Sequence, residues 1–159
     1  MIEMEEETKS AEMIPRLAEL AEFRYQVRTF LSFSESASDS CGIATQQYQL
    51  MQVIGSVPAD RQASISYIAE RMILRHNSTV ELVDRAERAG LVKRKHDEND
   101  LRRSLVRLTP HGWEILQKLV ALHLEEVQRQ SDGLMRALRK LQTPVPGNRR
   151  KIDSGEDEK

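Results

Sequence analysis

Residues 64–112 read SISYIAERMILRHNSTVELVDRAERAGLVKRKHDENDLRRSLVRLTPHG, and their periodicity decides the fold. Ser64 is an N-cap residue before Ile65, Ile68, Ala69 and Met72, which recur at helical spacing. Arg75, His76, Asn77 and Ser78 open a second helix, with Thr79, Leu82, Val83 and Ala86 on one face. Gly90 stands where a helix C-cap glycine belongs. The period then changes. Leu91 to Lys95 reads as a short strand, Asp97 to Asp100 as a polar turn, and Ser104 to Leu108 as the returning strand. Thr109 and Pro110 follow as N-cap and first helical residue. Short helix, tight turn, helix and hairpin together predict a mainly α fold with a small β-hairpin wing.

Upstream, a helix is predicted from Pro15, with Leu17, Leu20, Ala21, Arg24, Val27 and Leu31 in phase. Residues 1–13 read as a flexible acidic start, and the Ser- and Asp-rich stretch Ser32–Gly42 as a loop. Thr45 is the expected N-cap of a helix carrying Tyr48, Met51 and Ile54, which Gly55, Ser56 and Pro58 end. Downstream of Pro110, Trp113, Leu116, Val120, His123 and Val127 repeat at heptad-like intervals. Ser131, Asp132 and Gly133 are expected to interrupt that helix before Leu134, Met135, Leu138 and Leu141. Residues 143–159 carry little to bury and read as disordered.

The 159 residues fit one domain, and the net charge of −1 argues against a protein that coats nucleic acid with bulk positive charge. The balance is uneven: four basic residues stand against ten acids in residues 1–60, and twelve against eight in 61–118. The basic middle suggests a local anion-binding surface. No apolar run has the length of a membrane span, and the start is acidic where a secretory signal is basic, so a cytoplasmic protein is expected. The single cysteine, Cys41, excludes an intramolecular disulfide, and the four histidines lack metal-ligand spacing. No Ser/His/Asp grouping, paired-carboxylate motif, P-loop or dinucleotide glycine pattern points to an enzyme or to a cofactor.

A helix-turn-helix sets the first residues of its second helix against base edges in the major groove. Arg75, His76, Asn77 and Ser78 occupy those positions, and Asn pairs well with adenine edges. Thr79 has two readings, a thymine methyl or the core. In the hairpin, Arg102 and Arg103 can reach a minor groove, Asp100 can brace Arg102, and Lys93, Arg94 and Lys95 are placed for phosphates.

These residues resemble the winged helix-turn-helix of MarR-type transcriptional regulators. The resemblance rests on Ile68–Met72, Ser78–Arg85, Ala89–Val92, Asp97-x-x-Asp100-x-Arg102 and Val106-x-Leu108-Thr109-x-x-Gly112. It implies a homodimeric DNA-binding regulator, generally a repressor, on a pseudo-palindromic double-stranded site. Residues 14–42 and 110–142 would form the interlocking dimerisation helices, and 43–109 the DNA-binding lobe. By the same resemblance Arg102 enters the minor groove and Asp100 holds it. A small aromatic or phenolic effector would bind a cleft for which Tyr25, Tyr48 and His123 are candidates, although residues of these types are more often core. The family often has Leu where this chain has Ala86. A winged helix can also serve as a protein-interaction module, so fold alone does not fix the partner.

Overall fold

The computed structural model describes residues 2–96 and 104–142. Along the chain run α1 (Ile2–Ser40), α2 (Thr45–Gly55), α3 (Ile65–Met72), α4 (His76–Arg88), β1 (Val92–His96), β2 (Ser104–Leu108) and α5 (Pro110–Gln142). Two compact units share the long helices. One takes the chain up to Thr29 and from Gln130 onward, and the other is Phe30–Arg129.

The Phe30–Arg129 unit holds nearly all the core. Tyr48, Leu50 and Met51 of α2, Ile68 of α3, Leu82 and Val83 of α4, Leu91, Val92, Val106 and Leu119 are essentially without solvent contact. Each such side chain contributes about 1.5–3 kcal/mol on leaving water. The wing is an antiparallel pair with Val92 opposite Leu108 and His96 opposite Ser104. Its alternation sends Val92, Val106 and Leu108 into the core. A backbone bond from Val106 N–H to the Ala63 carbonyl (2.9 Å) ties β2 to the segment that starts α3.

Local chemistry explains most element ends. Ser64 Oγ accepts the Tyr67 N–H at 3.2 Å, the expected N-cap of α3. Gly90 has φ +71°, and Leu91 N–H returns to the Ala86 carbonyl at 3.0 Å, which ends α4. Thr109 caps α5, its Oγ accepting the Gly112 N–H at 3.0 Å and donating to the Gly90 carbonyl at 2.6 Å. A Cβ on Gly112 would stand 2.0 Å from the Leu91 carbonyl oxygen, so only glycine lets α5 start this close to β1.

Four sequence expectations change. The serine-rich stretch is the end of α1 and not a loop. Ser34, Ala37 and Ser38 are buried, and the Ser36 and Ser38 hydroxyls donate to the Ser32 and Ser34 carbonyls at 3.1 and 2.8 Å. Small side chains that satisfy themselves on the helix can face a core, whereas composition alone reads as loop. Pro15 lies inside α1, whose helical backbone reaches back to Ile2. The cap of α2 is at Ala44, with Gln47 Oε1 accepting its N–H at 3.0 Å, and Thr45 is the first helical residue. Finally, α5 runs unbroken through Ser131–Gly133. At Gly133 the Gln26 side chain lies where a Cβ would be, 2.8 Å from its Oε1.

In the other unit, Arg16 closes the end of α5. Its guanidinium donates to the Lys140 and Leu141 carbonyls at 2.9 and 3.1 Å and pairs with Glu19 at 2.6 Å. A cation at a helix C-terminus also meets the negative end of the dipole. Ala137 is the only buried residue among the described residues of this unit. Met13, Ile14, Leu17, Leu20 and Tyr25 of α1 and Met135 and Leu138 of α5 remain exposed. No helix among the described residues is long and apolar enough to cross a membrane.

The turn between α3 and α4 carries strain. Ile73 has φ 55° and ψ 45°, a left-handed conformation that costs a β-branched residue about 1–2 kcal/mol. Leu74 N–H bonds the Ala69 carbonyl at 2.9 Å and enforces the turn, while the Ile73 side chain is 93% exposed and recovers nothing by burial. Ile73→Gly is expected to raise stability by on the order of 1 kcal/mol, after glycine's own entropy cost. Urea unfolding measures this, and a lower midpoint in the variant would contradict it.

Candidate nucleic-acid interface

The stripe Thr79, Leu82, Val83 and Ala86 fixes the rotation of α4, since all four are at most 1% exposed. Arg75, the N-cap, and His76, Asn77 and Ser78, its first turn, consequently face solvent. None of these four side chains has a hydrogen bond or ion pair among the described residues, and the cap makes no side-chain bond to the first turn. The first-turn N–H groups thus remain available together with the positive end of the helix dipole. No acid lies in that turn. One edge of the helix therefore presents a cation, an imidazole, an amide, a hydroxyl and unpaired backbone donors.

Thr79 does not belong to this edge. It is fully buried, and its hydroxyl donates to the Arg75 carbonyl at 3.0 Å, so of its two sequence readings the structure selects the core.

Arg94 also differs from its expected role. Its guanidinium pairs with Asp84 Oδ1 at 2.5 Å and Glu87 Oε2 at 2.6 Å, and Glu87 Oε1 accepts its backbone N–H at 3.0 Å. Desolvation opposes the charge, but the hydrogen bonds and fields of the two carboxylates outweigh it and raise the pKa. Arg94 is a strut between β1 and α4 and is not free for a phosphate. Lys93 and Lys95 lie on the other face of β1 and are exposed. Asp100, Arg102 and Arg103 fall outside the described residues.

Two of the three effector-cleft candidates come together. Tyr48 and His123 have ring centroids 4.4 Å apart, with Phe30 and Phe33 edge-on to the imidazole at 5.9 and 5.4 Å. His123 Nδ1 lies 2.7 Å from the Leu119 carbonyl, which only an N–H can satisfy. Nε2 then accepts from Ser34 Oγ at 2.9 Å. Burial raises the Tyr48 pKa, with a smaller opposing effect from its 3.0 Å hydrogen bond with Gln52 Nε2. A cavity of about 250 Å³ opens beside these rings, lined by Phe30, Ser34, Gln52 and Val127 among others. Tyr25 is 59% exposed and belongs to the other unit. Sequence spacing did not disclose the Ser34–His123 bond, because its partners lie 89 residues apart.

Comparison with known proteins places this geometry. Residues 42–103 match the model of the MarR family. The chain is 27% identical over 136 residues to a putative transcriptional regulatory protein for the hcr operon of Thauera aromatica, covering 79% of this chain and 80% of that one. Among solved structures it is similar to AbsC, a MarR family transcriptional regulator from Streptomyces coelicolor (TM-score 0.64, 22% identity, 84% of this chain and 90% of that one). It is also similar to S. aureus MepR in its complex with DNA (TM-score 0.58, 20% identity, 76% of this chain and 98% of that one).

The Arg94 strut is testable without any ligand. Its partners are 40–47% exposed, so solvent screens the pairs and Arg94→Met should cost only about 1 kcal/mol in urea unfolding. The cost should shrink at high salt. A loss that is absent, or independent of salt, would remove the electrostatic role.

Proposed function

We propose that this chain is a transcriptional regulator of the MarR type and acts as a homodimeric repressor that reads a pseudo-palindromic operator. The match of residues 42–103 to the MarR family model supports a regulator. The observation that carries the reading is the unengaged edge of α4. Arg75 and the backbone donors suit phosphates, while His76, Asn77 and Ser78 suit base edges in the major groove. Lys93 and Lys95, with Arg103 and with Arg102 braced by Asp100, would extend contact to the flanking backbone and minor groove.

The uncovered apolar residues of α1 and α5 support dimerisation. Met13, Ile14, Leu17 and Leu20 recur on α1 at intervals that keep them near one face, and Met135 and Leu138 are exposed on α5. A second copy would bury them, and a two-fold axis would space the two α4 edges about one turn of DNA apart. The cavity beside Tyr48 and His123 suits a small aromatic or phenolic effector. Such a ligand would lower DNA affinity only if it binds one spacing of the two α4 helices better than the other.

Fluorescence anisotropy on DNA from upstream of the chain's own gene, against scrambled DNA across a salt series, tests the reading. Selective binding at two chains per duplex is expected, with log K falling by about 0.9 per phosphate neutralised as log salt rises. Asn77→Ala should weaken the selective complex by on the order of 1–3 kcal/mol, whereas Arg75→Gln should weaken both DNAs and lower the salt slope by about one. Equal, weak binding to both DNAs would favour the protein-interaction alternative.

A further inference from the structure

The fold itself makes no use of the Ile73 side chain. Ile73 is the only non-glycine residue with a positive φ among the described residues, and glycine takes that conformation without strain. The bonds that close its turn are backbone bonds, Ile73 N–H to the Glu70 carbonyl at 3.3 Å and Leu74 N–H to the Ala69 carbonyl at 2.9 Å. The apolar contact that such a helix end needs comes from Leu74, which packs against the core. Every other large apolar side chain exposed among the described residues lies on α1 or α5, so Ile73 is no part of the face proposed for dimerisation. Strain kept at an exposed position points to a partner that uses the side chain.

The surroundings of Ile73 suit DNA. Two peptide units separate it from Arg75, so their Cα atoms lie within about 7.6 Å and Ile73 adjoins the α4 edge. Arg71 and Arg75 flank it, both exposed and neither paired with a carboxylate among the described residues. The flanking cations suit phosphates. An apolar side chain between them suits the apolar group that a base edge presents in the major groove, the thymine C5 methyl. The α4 edge has no other reader for that methyl, because Arg75, His76, Asn77 and Ser78 are polar and Thr79 is buried. We propose, on the DNA reading above, that Ile73 is a specificity-determining residue that packs on a thymine methyl in each half-site.

A duplex selected from a random pool by the full chain is the probe. Each of its thymines is replaced in turn by deoxyuridine, which lacks only the C5 methyl, and binding is followed by fluorescence anisotropy. At one position in each half-site the replacement is expected to weaken the native complex by about fourfold per methyl, the value of one buried methyl-sized group. Ile73→Gly and Ile73→Asn both suit the left-handed turn. They should bind the thymine duplex about tenfold more weakly and show no preference for thymine over deoxyuridine at that position. Ile73→Val should keep the preference. Urea unfolding of Ile73→Gly separates binding from folding, since a variant at least as stable as the native chain cannot owe weaker binding to unfolding. Thymine and deoxyuridine duplexes bound alike by the native chain, a preference that survives in Ile73→Gly, or unchanged affinity in that variant would each overturn the proposal and leave sequence reading by α4 intact. Absence of any selected duplex would overturn both.

Discussion

Burial of one face of α4 is the constraint on which the rest of the structure depends. Thr79, Leu82, Val83 and Ala86 have no room to turn outward, because Leu50 and Met51 of α2 and Ile68 of α3 belong to the same closed core. A one-residue slip would rotate the helix by about 100° and expose part of that stripe. The solvent-facing set, Arg75 to Ser78, is therefore a consequence of packing. Its chemistry can vary without touching the core.

The position of the wing is set at a second point, where α4, β1 and α5 meet at Leu91. Leu91 N–H donates to the Ala86 carbonyl, and its own carbonyl accepts the Thr109 N–H, both at 3.0 Å. Gly112 lies against the same carbonyl, and the Arg94 pairs with Asp84 and Glu87 hold the strand from the other side. Backbone bonds and a glycine contact do the positioning, and the ion pairs, half open to water, add a smaller and salt-dependent share.

Much of this lobe was legible in the sequence. Ser64, Gly90, Thr109 and Pro110 act locally, through caps and turns that involve residues only a few positions away. The hairpin followed from a change of period after Gly90. What stayed hidden involved partners distant in sequence or choices that composition cannot make. The serines of α1 suggested a loop, yet Ser34 bonds His123 across the core. In sequence Arg94 is indistinguishable from its neighbours Lys93 and Lys95, and its role depends on Asp84 and Glu87, ten and seven residues away. Thr79 suits either the groove or the core, and only the packing decides. Arg107 carries no local signal as a strand residue, because its place opposite Lys93 depends on the register.

The exposed edge of α4, doubled by a two-fold axis, is proposed to read DNA sequence. Selection of bound duplexes from a random pool by the full chain tests it most directly. Enrichment of an inverted repeat whose half-sites are centred about one helical turn apart is expected. Asn77→Ala is expected to change the preferred bases symmetrically within both halves. A pool that shows no enriched motif after repeated rounds, or an enriched motif that Asn77→Ala leaves unaltered, would contradict it.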